Sequence, residues 1–134
     1  MAQNITRGVK QMIDDASAQI QTVSIEEAKN MLGRDGVTFI DIRDVRELSA
    51  SGRIKGARHV PRGMLEFWID PDSPYHKEFF AEEQTFVFYC ASAWRSALAT
   101  KVAQDMGLAP VCHIEGGFKA WQDAGGDIDP PKSK

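Results

Sequence analysis

Apolar residues run along this chain in two rhythms. Val37 to Ile42, Thr85 to Cys90 and Val111 to Ile114 are short, nearly continuous apolar runs. Runs without polar alternation suit strands covered on both faces. Thr22-Val23 and Ala57 to Val60 are weaker strand candidates. Between the runs the period lengthens to that of a helix. Ser24 and Glu27 form a capping box ahead of Ala28, Met31 and Leu32, with Gly33 as the stop. Arg95 to Met106 carries Leu98, Ala99, Val102, Ala103 and Met106 on one face and closes at Gly107. Gly117 to Gln122 begins a last short helix that holds Phe118 and Trp121. Strands alternating with helices predict an α/β domain with a parallel sheet and helices on both faces.

The ends of the chain differ from its middle. Val9, Met12, Ile13, Ala16 and Ile20 recur at helical spacing, which predicts an N-terminal helix packed on its own domain, with a dimer contact as the alternative. Gly125 to Lys134 is rich in Gly, Pro and Lys and is expected to be frayed. The apolar stretch Met64-Leu65-Glu66-Phe67-Trp68-Ile69 is expected to form a short helix closing the core, with a binding lip as the second reading.

Composition narrows the class without naming a function. The 134 residues, 43% hydrophobic and 26% charged, fit one globular domain. A net charge of -3 gives no reason to expect nucleic acid or an anionic membrane as partner. No apolar run approaches the roughly 20 residues that span a bilayer, and the first residues lack a signal peptide's apolar core. The two cysteines do not make a disulfide framework. A reducing cytoplasm, where a free thiol survives, is the expected compartment.

The chemistry concentrates where the run Phe86-Val87-Phe88-Tyr89 stops at Cys90. The small residues Ala91, Ser92 and Ala93 follow, then Trp94, Arg95 and Ser96 at the start of a helix pattern. In an α/β sheet, ligands bind beyond the carboxyl ends of strands. Small side chains there let backbone N–H groups curl toward one point, and the helix N-terminus adds positive potential. Arg95 adds a fixed charge, or braces the loop against a carboxylate through paired hydrogen bonds. Such a loop favours a thiolate over a thiol, and equally a persulfide. The spacing from Cys90 to Arg95 is C-x4-R, one residue shorter than the C-x5-R loop of a phosphatase. The smaller cradle suits one sulfur atom better than a tetrahedral phosphate.

With these residues in hand, the chain resembles the rhodanese family of sulfurtransferases. Phe39-Ile40-Asp41-Ile42-Arg43 with Glu47 is similar to the family's D-x-R segment and its trailing acid. Gly52-Arg53-Ile54-Lys55-Gly56-Ala57 is similar to G-H-I-x-G-A, with Arg53 in place of His. Val111 to Ile114 followed by Glu115-Gly116-Gly117-Phe118-Lys119-Ala120-Trp121 is similar to the closing strand and E-G-G-x-x-x-W helix. The resemblance spans roughly residues 20–126. It implies a single rhodanese-like domain with a parallel sheet of about five strands; the segments outside it are read from their own pattern as an N-terminal helical extension (1–19) and a flexible tail (127–134). It implies double displacement, in which Cys90 takes sulfane sulfur from thiosulfate or a related donor and passes it to cyanide, a thiol or a protein acceptor. No cofactor and no metal are implied. The alternative is a non-catalytic rhodanese-like regulatory or binding module, against which Cys90 is present.

Further candidates surround the loop. Asp41, Arg46 and Glu47 are expected to support the loop or its arginines, with Arg46 a rival partner for Asp41. Arg62, after Pro61, is a candidate for the rim of the cleft. Trp94 is read as a wall over the sulfur, a docking surface for a protein, or a loop residue folded on its neighbours. Cys112 lies in an apolar strand and is read as core. His59, His76 and His113 lack metal-ligand spacing.

Overall fold

The computed structural model describes residues 2–131. Along the chain run α1 (Val9–Ser17), β1 (Gln21–Val23), α2 (Ile25–Met31), β2 (Val37–Asp41), α3 (Val45–Ser51), β3 (Arg53–Ile54) and β4 (Arg58–His59). Then follow α4 (Leu65–Ile69), β5 (Thr85–Tyr89), α5 (Trp94–Met106), β6 (Val111–Ile114), α6 (Gly117–Asp123) and β7 (Ile128–Asp129). Five strands form one sheet in the order β1-β6-β5-β2-β4, and every neighbouring pair is parallel. The three runs that lack polar alternation supply β2, β5 and β6, the middle of this sheet.

Those middle strands are covered on both faces. Phe86, Phe88 and Cys90 point to one side, where they meet Ile40, Ile42, Leu65 of α4, and Ala99 and Ala103 of α5. Val87 and Tyr89 point to the other, against Phe39, Ala28 of α2, and Phe118 and Trp121 of α6. Each large apolar side chain buried this way stabilises the fold by roughly 1.5–3 kcal/mol. Trp121 is fully buried and its indole N–H donates to the Asp127 carbonyl at 2.9 Å. α4 forms where the Met64 to Ile69 stretch was expected to be helical, burying Leu65 and Ile69.

α1 packs on its own domain against α5 and buries Ile13 and Ala16. Val9 and Met12 remain exposed. The fraying expected of the C-terminus does not extend to Ile128–Asp129, which pairs antiparallel with β3. Ile128 packs against the core under α6, which explains why this polar stretch is held. Residues 132–134 of the expected tail lie outside the described residues. Among the described residues no helix is long and apolar enough to cross a membrane.

Register brings three strand ends to one level. Asp41 lies opposite Tyr89 in the β2–β5 pair and opposite His59 in the β2–β4 pair. Beyond them, the Ile42 N–H donates to Tyr89 O at 3.1 Å, and the Arg62 N–H donates to Ile42 O at 3.2 Å. The segments after β2, β4 and β5 therefore emerge side by side.

Candidate functional site

Cys90 is the first residue beyond β5, and it is 1% exposed. Three residues separate it from α5. The turn is made by Ala93, whose φ of 78° and ψ of 0° are left-handed, a conformation a non-glycine residue seldom adopts. The chain turns sharply there and α5 starts at once. No side chain caps this helix. The Ser96 N–H, in its first turn, donates to Cys90 Sγ at 3.3 Å.

Two devices fix the loop. The first is Arg95. Its Nη1 donates to Glu47 Oε1 at 2.7 Å and its Nη2 to Glu47 Oε2 at 2.9 Å, a two-pronged pair. The Arg95 hydrogen bond holds the Glu47 carboxyl below its usual range, and Glu47 in turn raises the Arg95 guanidinium, with a smaller contribution from Cys90. Glu47 is itself placed by a capping box at the start of α3. Asp44 caps that helix, and the Glu47 carboxylate accepts from the Asp44 N–H at 3.1 Å.

The second device is the start of α6. The Phe118 N–H donates to Cys90 O at 2.8 Å, and the Lys119 N–H to Ala91 O at 3.1 Å. This contact needs a glycine. Gly117 has φ +65°, and a Cβ on it would lie 2.6 Å from Cys90 O and 2.8 Å from Ala91 O.

Asp41 lies beneath the site, fully buried, and its partner is Arg43 rather than Arg46. Arg43 Nη2 donates to Asp41 Oδ2 at 2.7 Å, and Nε to Oδ1 at 3.0 Å. Its remaining donors reach Ser51 Oγ at 3.1 Å and Gly52 O at 2.7 Å, and its plane lies 4.3 Å from the Phe118 ring centre. Burial pulls the Arg43 guanidinium down, Asp41 pulls it up, and the net direction is up. Arg46 projects into solvent, 90% exposed, and pairs with Asp44. The expectation that it supports the loop is therefore corrected: it decorates the α3 cap. Arg62 stands at the same end of the sheet, with its side chain tied to Glu66 at 2.9 Å. A cleft of about 390 Å³ lies between α3 and α6, lined by Arg43, Glu47, Ser51, Ala91, Phe118 and Lys119 among others.

Behind the loop runs a chain of polar groups, buried at Ser96 and His113 and reaching the surface at Thr22. Ser96 Oγ is hydrogen-bonded to His113 Nδ1 at 2.8 Å, and His113 Nε2 to Thr22 Oγ1 at 3.0 Å. Burial pushes the imidazole down from 6.5 to about 4, leaving it neutral at neutral pH. Cys112 faces the opposite side of β6 in the core, and burial pushes its thiol up to about 11. Trp94 opens α5 with half its surface exposed.

Arg43 and His113 were not among the expected site residues. Both had a signal in the sequence: a charged or polar residue within a buried apolar stretch must find partners there.

Known proteins resemble the chain in sequence and in shape. The Rhodanese-like domain family matches residues 24–124. The thiosulfate:glutathione sulfurtransferase of Saccharomyces cerevisiae is 30% identical over 118 residues, 82% of this chain and 84% of that protein. The mouse thiosulfate sulfurtransferase/rhodanese-like domain-containing protein 3 is 26% identical over 74% of this chain. The chain spans 66% of that relative's length and 53% of a Synechocystis relative's. A solved structure from Rhodopseudomonas palustris, a protein of unknown function described as a possible tyrosine phosphatase, superposes with a TM-score of 0.93. It is 56% identical, covering 96% of this chain and 99% of that one.

Proposed function

The chain belongs to the rhodanese-like domain family, and on that premise we propose that it is a sulfurtransferase carrying sulfane sulfur on Cys90. The observation that carries this reading is the Ser96 N–H aimed at Cys90 Sγ, in a loop clamped by Arg95–Glu47 and by the first N–H groups of α6. In the first step the Cys90 thiolate attacks the outer sulfur of a donor such as thiosulfate. The new S–S bond gives Cys90–S–S⁻, and the old S–S bond breaks with its electron pair, releasing sulfite. In the second step cyanide or a thiolate attacks the outer sulfur and the Cys90 thiolate leaves. Dividing the transfer into two displacements is covalent catalysis. The hydrogen bond is made to Sγ, the atom that attacks in the first step and leaves in the second. The reading fits a reducing compartment, in which both cysteines stay free.

A phosphatase reading, raised for the Rhodopseudomonas protein, fits this loop less well. Both outer nitrogens of Arg95 are taken by Glu47, and the C-x4-R spacing leaves fewer donors around a tetrahedral oxyanion. Intact-protein mass measurement after incubation with sulfane donors tests the proposal. A gain of one sulfur atom, absent from Cys90→Ser, is expected. No gain with any donor, or hydrolysis of an aryl phosphate through Cys90 at the rate of sulfur transfer, refutes it.

A further inference from the structure

Phe88, His113 and Thr22 lie side by side across β5, β6 and β1. The face they share packs under α5, where Phe88 joins Ala99 and Ala103 in the core. Two polar side chains meet in that layer, His113 from the sheet and Ser96 from α5, and both are buried. Polar groups buried there cost free energy unless they are hydrogen-bonded.

Their hydrogen bonds can run in one direction only. Among the described residues the Ser96 hydroxyl has one partner, His113 Nδ1 at 2.8 Å. A buried O–H without an acceptor is costly, so this one donates and Nδ1 accepts. Burial keeps the ring neutral at neutral pH. A neutral imidazole that accepts at Nδ1 carries its proton on Nε2. Nε2–H then donates to Thr22 Oγ1 at 3.0 Å, and Thr22, exposed on β1, turns its own O–H to solvent.

Resting on the sulfurtransferase reading, we infer that His113 is a positioning residue for sulfur transfer. As the Nε2–H tautomer it accepts the Ser96 hydroxyl at Nδ1, and so fixes the residue whose backbone N–H meets Cys90 Sγ at 3.3 Å. One residue makes both bonds, so the sulfur's donor moves only if the Ser96–His113 bond gives. α5 has no capping side chain to hold its first turn. Side-chain anchors hold it instead, Arg95 to Glu47 on the outside and Ser96 to His113 on the inside. The inner anchor acts on Ser96 itself, and a displacement of about 1 Å at a reacting centre can cost on the order of 100-fold in rate.

The tautomer is read first, by NMR of the full chain carrying ¹⁵N-labelled histidine near neutral pH. The His113 ring is assigned by elimination with His59→Gln and His76→Gln. Nδ1 should resonate as an unprotonated ring nitrogen and Nε2 as a protonated one; a proton on Nδ1 overturns the inference. Two substitutions then divide the ring, since Asn sets its amide where Nδ1 stood and Gln where Nε2 stood. Thiosulfate:cyanide transfer rates and urea midpoints are measured for both, and for Ser96→Ala, which keeps the N–H but loses Oγ. His113→Asn should hold kcat within about threefold of the parent, while His113→Gln and Ser96→Ala lose about tenfold or more. The urea midpoints of the Asn and Gln variants should be alike. A kcat that merely follows the midpoint, or one in His113→Gln equal to or above that in His113→Asn, leaves the ring a structural role alone and overturns the inference. Absence of a Cys90 persulfide in the unmodified protein, by intact mass, would instead overturn the functional reading beneath it and leave the tautomer standing.

Discussion

His113 makes the fold sensitive to acid in a pH range where few side chains titrate. The ring is 3% exposed, held between Ser96 Oγ and Thr22 Oγ1, and burial lowers its pKa from 6.5 to about 4. In the unfolded chain the same ring takes up its proton near 6.5. Below that pH the unfolded state binds a proton that the native state refuses. Stability is therefore intact above pH 6.5 and is lost as pH falls toward about 4. At about 1.36 kcal/mol per pH unit, the gap amounts to about 3 kcal/mol in full, and about 2 kcal/mol is already lost by about pH 5. Domains of this kind are stable by roughly 5–15 kcal/mol, so one ring removes a large share. Glu47, Asp44 and Asp15 are also held below their usual carboxylate ranges by their hydrogen bonds, so their contributions fall at lower pH.

Urea unfolding at about pH 7.5, 6 and 5 reads this out. With a slope of about 1–3 kcal/mol per molar urea, the midpoint should fall by about 1 M between the ends of that range. His113→Gln keeps a neutral hydrogen-bonding side chain and cannot titrate. It should be less stable than the parent at pH 7.5 yet nearly flat with pH. An equal fall in the variant, or a parent midpoint that does not move, would refute the assignment to His113.

Other substitutions probe the clamp and the core. Arg95→Lys keeps the charge but loses the planar fork on Glu47; turnover should drop roughly 10- to 100-fold in a steady-state transfer assay, since small misplacements of a reacting group are costly. Gly117→Ala should lower both transfer and thermal stability, the latter by on the order of 2 kcal/mol, because its φ of +65° is unfavourable to a side chain and the Cβ meets the Cys90 and Ala91 carbonyls. Cys112→Ala should keep transfer within about twofold, its thiol being raised to about 11 in the core and so protonated at working pH; a loss matching that of Cys90→Ser would show Cys112 to be a partner in the chemistry.

What the sequence made legible follows from what burial imposes on it. β2, β5 and β6 are flanked on both sides by helices, and apolar residues predominate there, so their runs stood out. β3 and β7 are two residues each, and two residues cannot show a period. Ile128, one apolar residue in a polar tail, was the available sign of the second pairing. The loop around Cys90 was legible because small residues and a nearby arginine have few other reasons to follow a buried strand. The choice between Arg43 and Arg46 for Asp41 was not. It depends on side-chain direction: Arg43 turns inward under Phe118, while Arg46 lies on the outer surface of α3. The Asp44–Glu47 capping box was readable as D-x-x-E, and with it the position of Glu47 opposite Arg95 becomes a consequence of the start of α3.

The most economical account of the loop treats the sulfur as a helix cap. An ordinary N-cap side chain offers an oxygen to the N–H of the second or third helical residue. α5 has no such side chain, for its N-cap is Ala93. Ser96, third in the helix, gives its N–H to Cys90 Sγ instead. A left-handed alanine costs about 1 kcal/mol or more, and a capping side chain at this position would have competed for the same N–H. The chain accepts both penalties at one turn, and the helix end is satisfied only when a sulfur is there to accept. His113 and Thr22 hold Ser96 from behind, and Arg95–Glu47 holds the next residue back along the helix. The groups that fix the helix start are thus the groups that fix the sulfur. Loosening the Arg95–Glu47 pair should show first in the chemistry of Cys90 and only later in the melting of the domain.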